Sequence, residues 1–213
     1  MTYRVKEIFP SLQGEGFHAG RTAVFCRFSG CNLWSGREED RPTERCRFCD
    51  TDFAGVDGPG GRVFASAEAL ADAIALAWPA PAAAGTPPFV VLTGGEPLLQ
   101  LDPPLLAALH ARGCTVAVET NGTLLPPPGV DWVTVSPKAG TELVLREGSE
   151  LKLVYPQPGA EPERFESLAF GHFFLQPLDG PERAHNTRLA VQYCLEHPRW
   201  RLGLQIHKFL GIP

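Results

Sequence analysis

Three cysteines stand out as a set able to do chemistry together. Cys46 and Cys49 form a C-x2-C pair, and Cys31 precedes them across a polar segment, LWSGREEDRPTER, that can loop out to bring a third thiolate alongside. A structural zinc site wants four ligands, with Cys26 or His18 as candidates for the fourth. Three thiolates on an iron–sulfur cluster would instead leave one iron open to a further ligand. Cys26 alternates with Phe25 and Arg27 along a strand and reads as a small core residue. Cys114 and Cys194 lie beside predicted elements without partners and read as packing residues.

A second set follows the apolar run Phe89–Leu92. Thr93-Gly94-Gly95-Glu96-Pro97 places two glycines, which let the backbone approach a ligand closely, before a carboxylate that can accept hydrogen bonds from an ammonium group. Arg27, near the end of its strand, can grip a carboxylate bidentately, with a surface ion pair as the alternative. Lys138 reads equally as an anion partner or a solvated strand-end lysine. Leu12, Gln13, Gly14 and Glu15 read as a turn, and His18 and Arg21 beside it as solvated side chains.

These residues need strands and helices to position them. Six short apolar, β-branched or aromatic stretches read as strands: Thr22–Ser29, Phe89–Thr93, Thr115–Glu119, Val130–Val135, Leu151–Val154 and His172–Leu175. Helical spacing covers Ala67–Trp78 after an N-cap at Ser66, Pro103–Arg112 after Asp102, and about His185–Glu196. The strand–helix rhythm implies parallel strands with right-handed crossovers, and about six strands are too few for a complete eight-fold barrel of about 250 residues. The expected fold is α/β: a partial, incomplete β/α barrel of about six mostly parallel strands, with its ligands at the carboxyl ends of the strands. One domain over 1–213 is expected, with the apolar Arg201–Pro213 segment packed on the body. Trp78–Pro88 and Leu125–Gly129 read as surface connections.

Composition narrows the function. A net charge of −5 with no dense Lys/Arg block argues against holding nucleic acid by phosphate neutralisation, so a small-molecule partner is expected. No apolar run is long enough for a membrane span, and MTYRVKEIFP lacks the apolar core of a signal peptide, which places the protein in the cytoplasm. In that reducing compartment the six cysteines are expected as thiols or metal ligands rather than disulfides.

A three-cysteine set followed by TGGEP resembles the radical S-adenosylmethionine (SAM) superfamily. The C-x14-C-x2-C spacing departs from that superfamily's C-x3-C-x2-C by an eleven-residue insertion. A closer resemblance is to the 7-carboxy-7-deazaguanine synthase family. It is carried by FPSLQGEG at Phe9–Gly16, FCRFSGCNLW, FCDT at Phe48–Thr51, TGGEP, ETNGT at Glu119–Thr123, SPK at Ser136–Lys138, QPLDG at Gln176–Gly180 and the HKFLGIP end, which together span nearly the whole chain. Some members of that family share an enlarged cluster loop and a short, incomplete barrel.

The resemblance implies a 4Fe-4S cluster on Cys31, Cys46 and Cys49, with SAM on the open iron and Mg2+ at Thr51. It implies conversion of 6-carboxy-5,6,7,8-tetrahydropterin to 7-carboxy-7-deazaguanine with release of ammonia, on the route to queuosine, with a reducing electron donor and a homodimeric assembly. SAM would lie against Phe48, Cys49, Asp50, Gly95, Glu96, Ser136, Pro137, Lys138 and the Gln176, Pro177, Leu178, Asp179 strand end. The pterin would meet Leu12, Gln13, Gly14, Glu15, Arg27, Thr93 and the carboxylate of Pro213, while Glu119 and Asn121 line the site without an assigned ligand. No side chain is assigned as a catalytic acid or base, because the cofactor supplies the radical chemistry. Two other readings are an activating enzyme that makes a glycyl radical on a partner protein and a non-enzymatic zinc module. FPSLQGEG and HKFLGIP weigh against the first, and the second requires Cys26 or His18 beside the triad.

Overall fold

The computed structural model describes residues 2–79 and 85–213, so part of the expected Trp78–Pro88 connection lies outside the described residues. The chain begins with a strand that the apolar pattern does not announce, β1 (Tyr3–Leu12), followed by β2 (Thr22–Phe28), a three-residue β3 (Arg62–Phe64) and α1 (Ala67–Leu76). After β4 (Phe89–Gly94) come α2 (Pro103–His110), β5 (Thr115–Thr120), β6 (Trp132–Val135), β7 (Glu147–Tyr155), β8 (Ala169–Pro177), α3 (Arg183–Glu196), β9 (Trp200–Leu202) and α4 (Ile206–Leu210).

Among the described residues nine strands form one sheet in the order β3-β1-β2-β4-β5-β6-β7-β8-β9. From β2 to β9 every pairing is parallel, whereas β1 runs antiparallel to both β2 and β3. The sheet is therefore mostly parallel and open at both ends, as expected, but it has nine strands rather than about six. The six expected strands are β2 and β4–β8. The additions are an antiparallel pair at one edge and one short parallel strand at the other.

The helices begin where their caps require. Ser66 accepts a hydrogen bond from the Ala69 backbone N–H at 3.2 Å, and Asp102 accepts one from Leu105 at 3.0 Å, each satisfying a donor that the first turn leaves free. On the outer face, α1 and α2 bury Leu70, Ile74, Leu105 and Leu109 against Val24, Cys26, Phe28, Val90, Leu92, Val116 and Val118. A second outer cluster gathers Leu151, Leu153, Phe173, Leu175, Ala190 and Trp200 beneath α3. Between β5 and β8 the crossovers carry no α-helix. The longest of them contains only a single 3-10 turn at Pro162–Arg164.

Residues of β1, β2 and β4–β8 line one common cavity, so the sheet curls with its inner face around it. The connection between β1 and β2 closes the amino-terminal end of this curl. Phe17 stacks on His172 with ring centroids 4.4 Å apart and on Trp132 at 5.1 Å, while His18 lies 4.8 Å from Phe89 and the Arg21 guanidinium 3.8 Å over the same ring. His18 and Arg21, expected as solvated side chains, are thus packing residues against aromatic rings. The opposite, carboxyl-terminal end stays open.

Candidate active site

The cavity, about 560 Å3, lies at the carboxyl ends of the parallel strands. It is lined by almost all the residues singled out in the sequence: Cys31, Cys46, Cys49 and Thr51 on one wall, Leu12–Glu15, Arg27 and Thr93 with Pro213 on another. Phe48, Asp50, Gly95, Ser136, Lys138 and Gln176–Asp179 complete it. Two expected residues, Glu96 and Pro137, do not line it.

The three cysteines belong to one loop whose apolar side, Leu33, Trp34 and Phe53, forms a small core of its own. The backbone closes the loop, with Cys46 N–H donating to the Leu33 carbonyl at 3.1 Å. A hydrogen bond between Cys46 and Cys49 draws the Cys46 thiol down to about 7 and pushes Cys49 up, and Lys138 adds to the pull on Cys46; burial raises Cys31. This donor set suits an iron–sulfur cluster: three thiols on one wall of a cavity, in an apolar collar, with a partly buried ammonium nearby to favour the thiolates. Neither candidate for a fourth zinc ligand belongs to this wall. Cys26 is fully buried in the outer core, and His18 packs at the far end of the curl. Among the described residues, no three His, Cys, Asp or Glu side chains are arranged to hold a single metal ion.

The Gly-Gly-Glu segment positions this wall from behind. A Cβ on Gly95 would sit 2.1 Å from the Gly30 carbonyl oxygen and 2.7 Å from the Cys31 Cβ, so the glycine is required by the chain's own cysteine loop. Glu96 donates its backbone N–H to that same Gly30 carbonyl at 3.0 Å. Its carboxylate is fully buried and accepts from the Leu98 N–H (3.0 Å), Thr120 Oγ1 (2.8 Å) and Asn121 N–H (2.8 Å). Asn121 in turn donates to Asn32, next to Cys31, at 2.9 Å. Burial raises the Glu96 carboxyl, and the three donors partly offset it. With three donors from within the chain on its carboxylate, Glu96 holds β5 and the Cys31 segment together.

The cavity floor contains a group that the sequence did not single out. Lys152, buried on β7, forms ion pairs with Glu15 and, at 3.0 Å, with Glu119. Gln13 donates to Glu119 at 2.9 Å and accepts from the Glu15 N–H at 3.1 Å, and Gln176 and Gln205 donate to Glu15 at 3.2 and 3.0 Å. Burial alone would raise Glu15 and lower Lys152; their mutual attraction, with Glu119, outweighs it and keeps both charged. The Gln176 amide oxygen has no partner among the described residues. Two carboxylates, one ammonium and an unpaired amide oxygen make a floor that accepts hydrogen bonds from a flat, N–H-rich ligand.

At the rim, Lys208 on α4 bridges Asp50 at 2.5 Å and Asp179 at 2.6 Å, tying the cysteine loop to the end of β8. Asp52, on the other side of Thr51, pairs with Lys6 at 2.9 Å. Both carboxylates flanking Thr51 are therefore committed, while the Thr51 hydroxyl has no hydrogen-bond partner among the described residues. Arg27 pairs through Nε with Glu7 at 2.7 Å, which leaves its two terminal nitrogens toward the cavity free of protein partners among the described residues. Lys138, partly buried and lowered by its desolvation, donates to the Ser136 carbonyl and hydroxyl at 2.6 and 2.7 Å. The chain returns at Pro213, whose carbonyl accepts from Ser11 Oγ at 2.8 Å. At the same rim His207 packs so closely on Gly14 that a Cβ there would meet its ring at 2.2 Å.

Of the residues that sequence reasoning missed, Lys152 carried a signal: a single charge inside the otherwise apolar run LKLV. Gln205 and Lys208 carried none: the apolar character of Arg201–Pro213 announces packing on the body but does not say which of its polar side chains reach the cavity.

Fold and site together define an enzyme whose ligands bind at the carboxyl edge of an open parallel α/β sheet, beside a loop of three cysteines. The chain is 64% identical over 216 residues, covering 100% of both, to a 7-carboxy-7-deazaguanine synthase of Bordetella pertussis, and 64% identical over 212 residues, again covering 100% of both, to one of Bradyrhizobium diazoefficiens. It is similar in structure to QueE from Escherichia coli, with a TM-score of 0.71 and 27% identity over 97% of this chain and 95% of that one. No protein-family model matches. The chain belongs to the 7-carboxy-7-deazaguanine synthase family of radical SAM enzymes.

Proposed function

We propose that this protein converts 6-carboxy-5,6,7,8-tetrahydropterin to 7-carboxy-7-deazaguanine with loss of ammonia, in the cytoplasm, as a radical SAM enzyme built on a partial β/α barrel. The observation that carries the reading is that one cavity joins a three-thiol wall to an acceptor-rich ionic floor. A 4Fe-4S cluster on Cys31, Cys46 and Cys49, reduced by an external electron donor, would supply a 5'-deoxyadenosyl radical from SAM.

The protein's part is binding, orientation and exclusion of water. Glu15, Glu119 and Gln13 present acceptors and an amide edge matched to the pterin's aminopyrimidinone, and the free nitrogens of Arg27 suit its carboxylate. Thr93 and the terminal Pro213 border the same volume. Phe48, Cys49, Asp50, Gly95, Ser136, Lys138 and Gln176–Asp179 form the SAM side. Glu96 serves it indirectly by fixing Asn121 and the Cys31 segment, and Pro137 by the turn between Ser136 and Lys138. Mg2+ is assigned to Thr51, the unpartnered hydroxyl between two committed carboxylates, with the substrate carboxylate and water completing its shell. A homodimer is the proposed assembly.

Iron and sulfide analysis of protein reconstituted without oxygen, followed by SAM cleavage with and without the pterin, tests this reading. Four irons per chain and SAM cleavage that rises with the pterin are expected. Zinc in place of iron, or SAM cleavage indifferent to the pterin, would contradict it. The second outcome would return the activating-enzyme reading.

A further inference from the structure

The enlarged loop between Cys31 and Cys46 carries one side chain, Arg41, that reaches back to the backbone of the C-x2-C segment. Arg41 lies face-on over Trp34, its Cζ 4.0 Å from the ring centroid. One edge of its guanidinium meets Glu38 bidentately, Nε at 2.7 Å and Nη2 at 2.5 Å. The other edge is turned inward, where Nη1 donates to the Cys49 carbonyl at 3.0 Å and the Arg47 carbonyl at 3.1 Å. The Arg41 side chain is only 23% exposed, while Glu38 is 75% exposed.

Trp34 is itself fixed, its indole N–H on the Arg37 carbonyl at 3.0 Å and its ring edge-on to Phe53. A cation seated between an anchored aromatic face and two backbone carbonyls has little freedom, and those carbonyls flank the peptides that set the direction of the Cys46 and Cys49 side chains. The guanidinium is also within electrostatic reach of both sulfurs. Four of its five N–H donors are engaged. A lysine could supply the charge but not the planar fork.

We infer that Arg41 is a positioning residue for the iron–sulfur cluster, clamping the Cys46–Cys49 backbone and adding positive charge that favours the cluster's reduced state, with Glu38 moderating that charge. The inference rests on the cluster assignment made under Proposed function. Adding an electron makes a cluster more negative, so a nearby cation raises its reduction potential and a nearby anion lowers it. The two partners of one ion pair therefore have opposite effects, which a purely structural role does not produce.

The experiment is anaerobic reconstitution of the full chain as wild type, Arg41→Gln, Arg41→Lys and Glu38→Gln, with two readouts: the cluster potential from a redox titration followed by electron paramagnetic resonance, and the rate at which a chelator strips iron, followed by visible absorbance. Arg41→Gln is expected to lower the potential and speed iron loss about tenfold. Arg41→Lys should keep a potential near wild type yet still lose iron faster, and Glu38→Gln should raise the potential. Potentials and stripping rates for Arg41→Gln equal to wild type, or shifts of the same sign for Arg41→Gln and Glu38→Gln, would overturn the inference. Wild type that takes up no cluster would instead sink the cluster assignment. Should Arg41→Gln fail to fold by circular dichroism, the Arg41→Lys and Glu38→Gln pair decides the matter.

Discussion

Glu96 illustrates how a residue chosen for one role can be claimed by another. Read as a ligand for an ammonium group, it turns out fully buried with three donors from Leu98, Thr120 and Asn121, and its removal would leave all three unpaired. Each unsatisfied buried donor costs about 1–3 kcal/mol, so Glu96→Ala should destabilise the apoprotein by about 3 kcal/mol, read as a lower denaturant midpoint; an unchanged midpoint would contradict the bracing role. At Glu15 the sign of a pH effect can be worked out. Burial opposes its charge, but Lys152 and its amide donors hold its folded-state pKa below the unfolded value. Such a group contributes stability above the ordinary carboxylate range, and loses it as pH falls through the folded value. The stability gap between wild type and Glu15→Gln should therefore be largest near neutrality and shrink with acidification; a gap that grew on acidification would reverse the assignment of charge. Linear motifs revealed most of the cavity lining because each strand end contributes a short run of neighbours. Lys152 was overlooked because its two carboxylate partners lie 137 and 33 residues away in the chain.

At the scale of elements, the six central strands were legible from their apolar runs and α1 and α2 from apolar spacing and the caps at Ser66 and Asp102, whereas α3 was placed only approximately and has no side-chain cap. Strand β1 was not: Lys6, Glu7 and Pro10 interrupt YRVKEIFPSL, and a register shift against β2 between Val5 and Glu7 breaks the two-residue alternation on which recognition depends. β3 and β9, three residues each, are defined only by their neighbours in the sheet. The segment around α4 was expected to pack on the body, and it does so across the cavity rim, through Lys208 to Asp50 and Asp179 and through the Ile206 N–H to the Gly14 carbonyl at 2.9 Å. The Lys208 pairs are partly exposed, so their loss should cost stability only about 0–1 kcal/mol. Lys208→Ala should instead raise the apparent KM for SAM by freeing Asp50 and Asp179, with kcat little changed. A fall in kcat at unchanged KM would place Lys208 in the chemistry instead of at the rim.

For the molecule as a whole, one curled sheet separates an aromatic base from an ionic, cysteine-walled mouth. The parallel core forces that polarity by bringing all carboxyl ends to the same side. Among the described residues no helix is long and apolar enough to cross a membrane. A single chain weighs 23.1 kDa, so the proposed homodimer should sediment with twice that mass at micromolar concentration, and a mass of one chain would contradict it. Which strands form the edges of the sheet could not be read from the sequence, because strand order depends on crossovers that carry helices in some places and bare loops in others. The central claim is that the cysteine wall and the ionic floor serve one reaction. It is tested most directly by incubating the iron-reconstituted protein without oxygen with SAM, reductant, Mg2+ and 6-carboxytetrahydropterin, and following the products by mass spectrometry. The account predicts 7-carboxy-7-deazaguanine from wild type, none from Cys49→Ala, and strongly reduced product from Lys152→Met. SAM cleavage by wild type with the pterin left unchanged would contradict it.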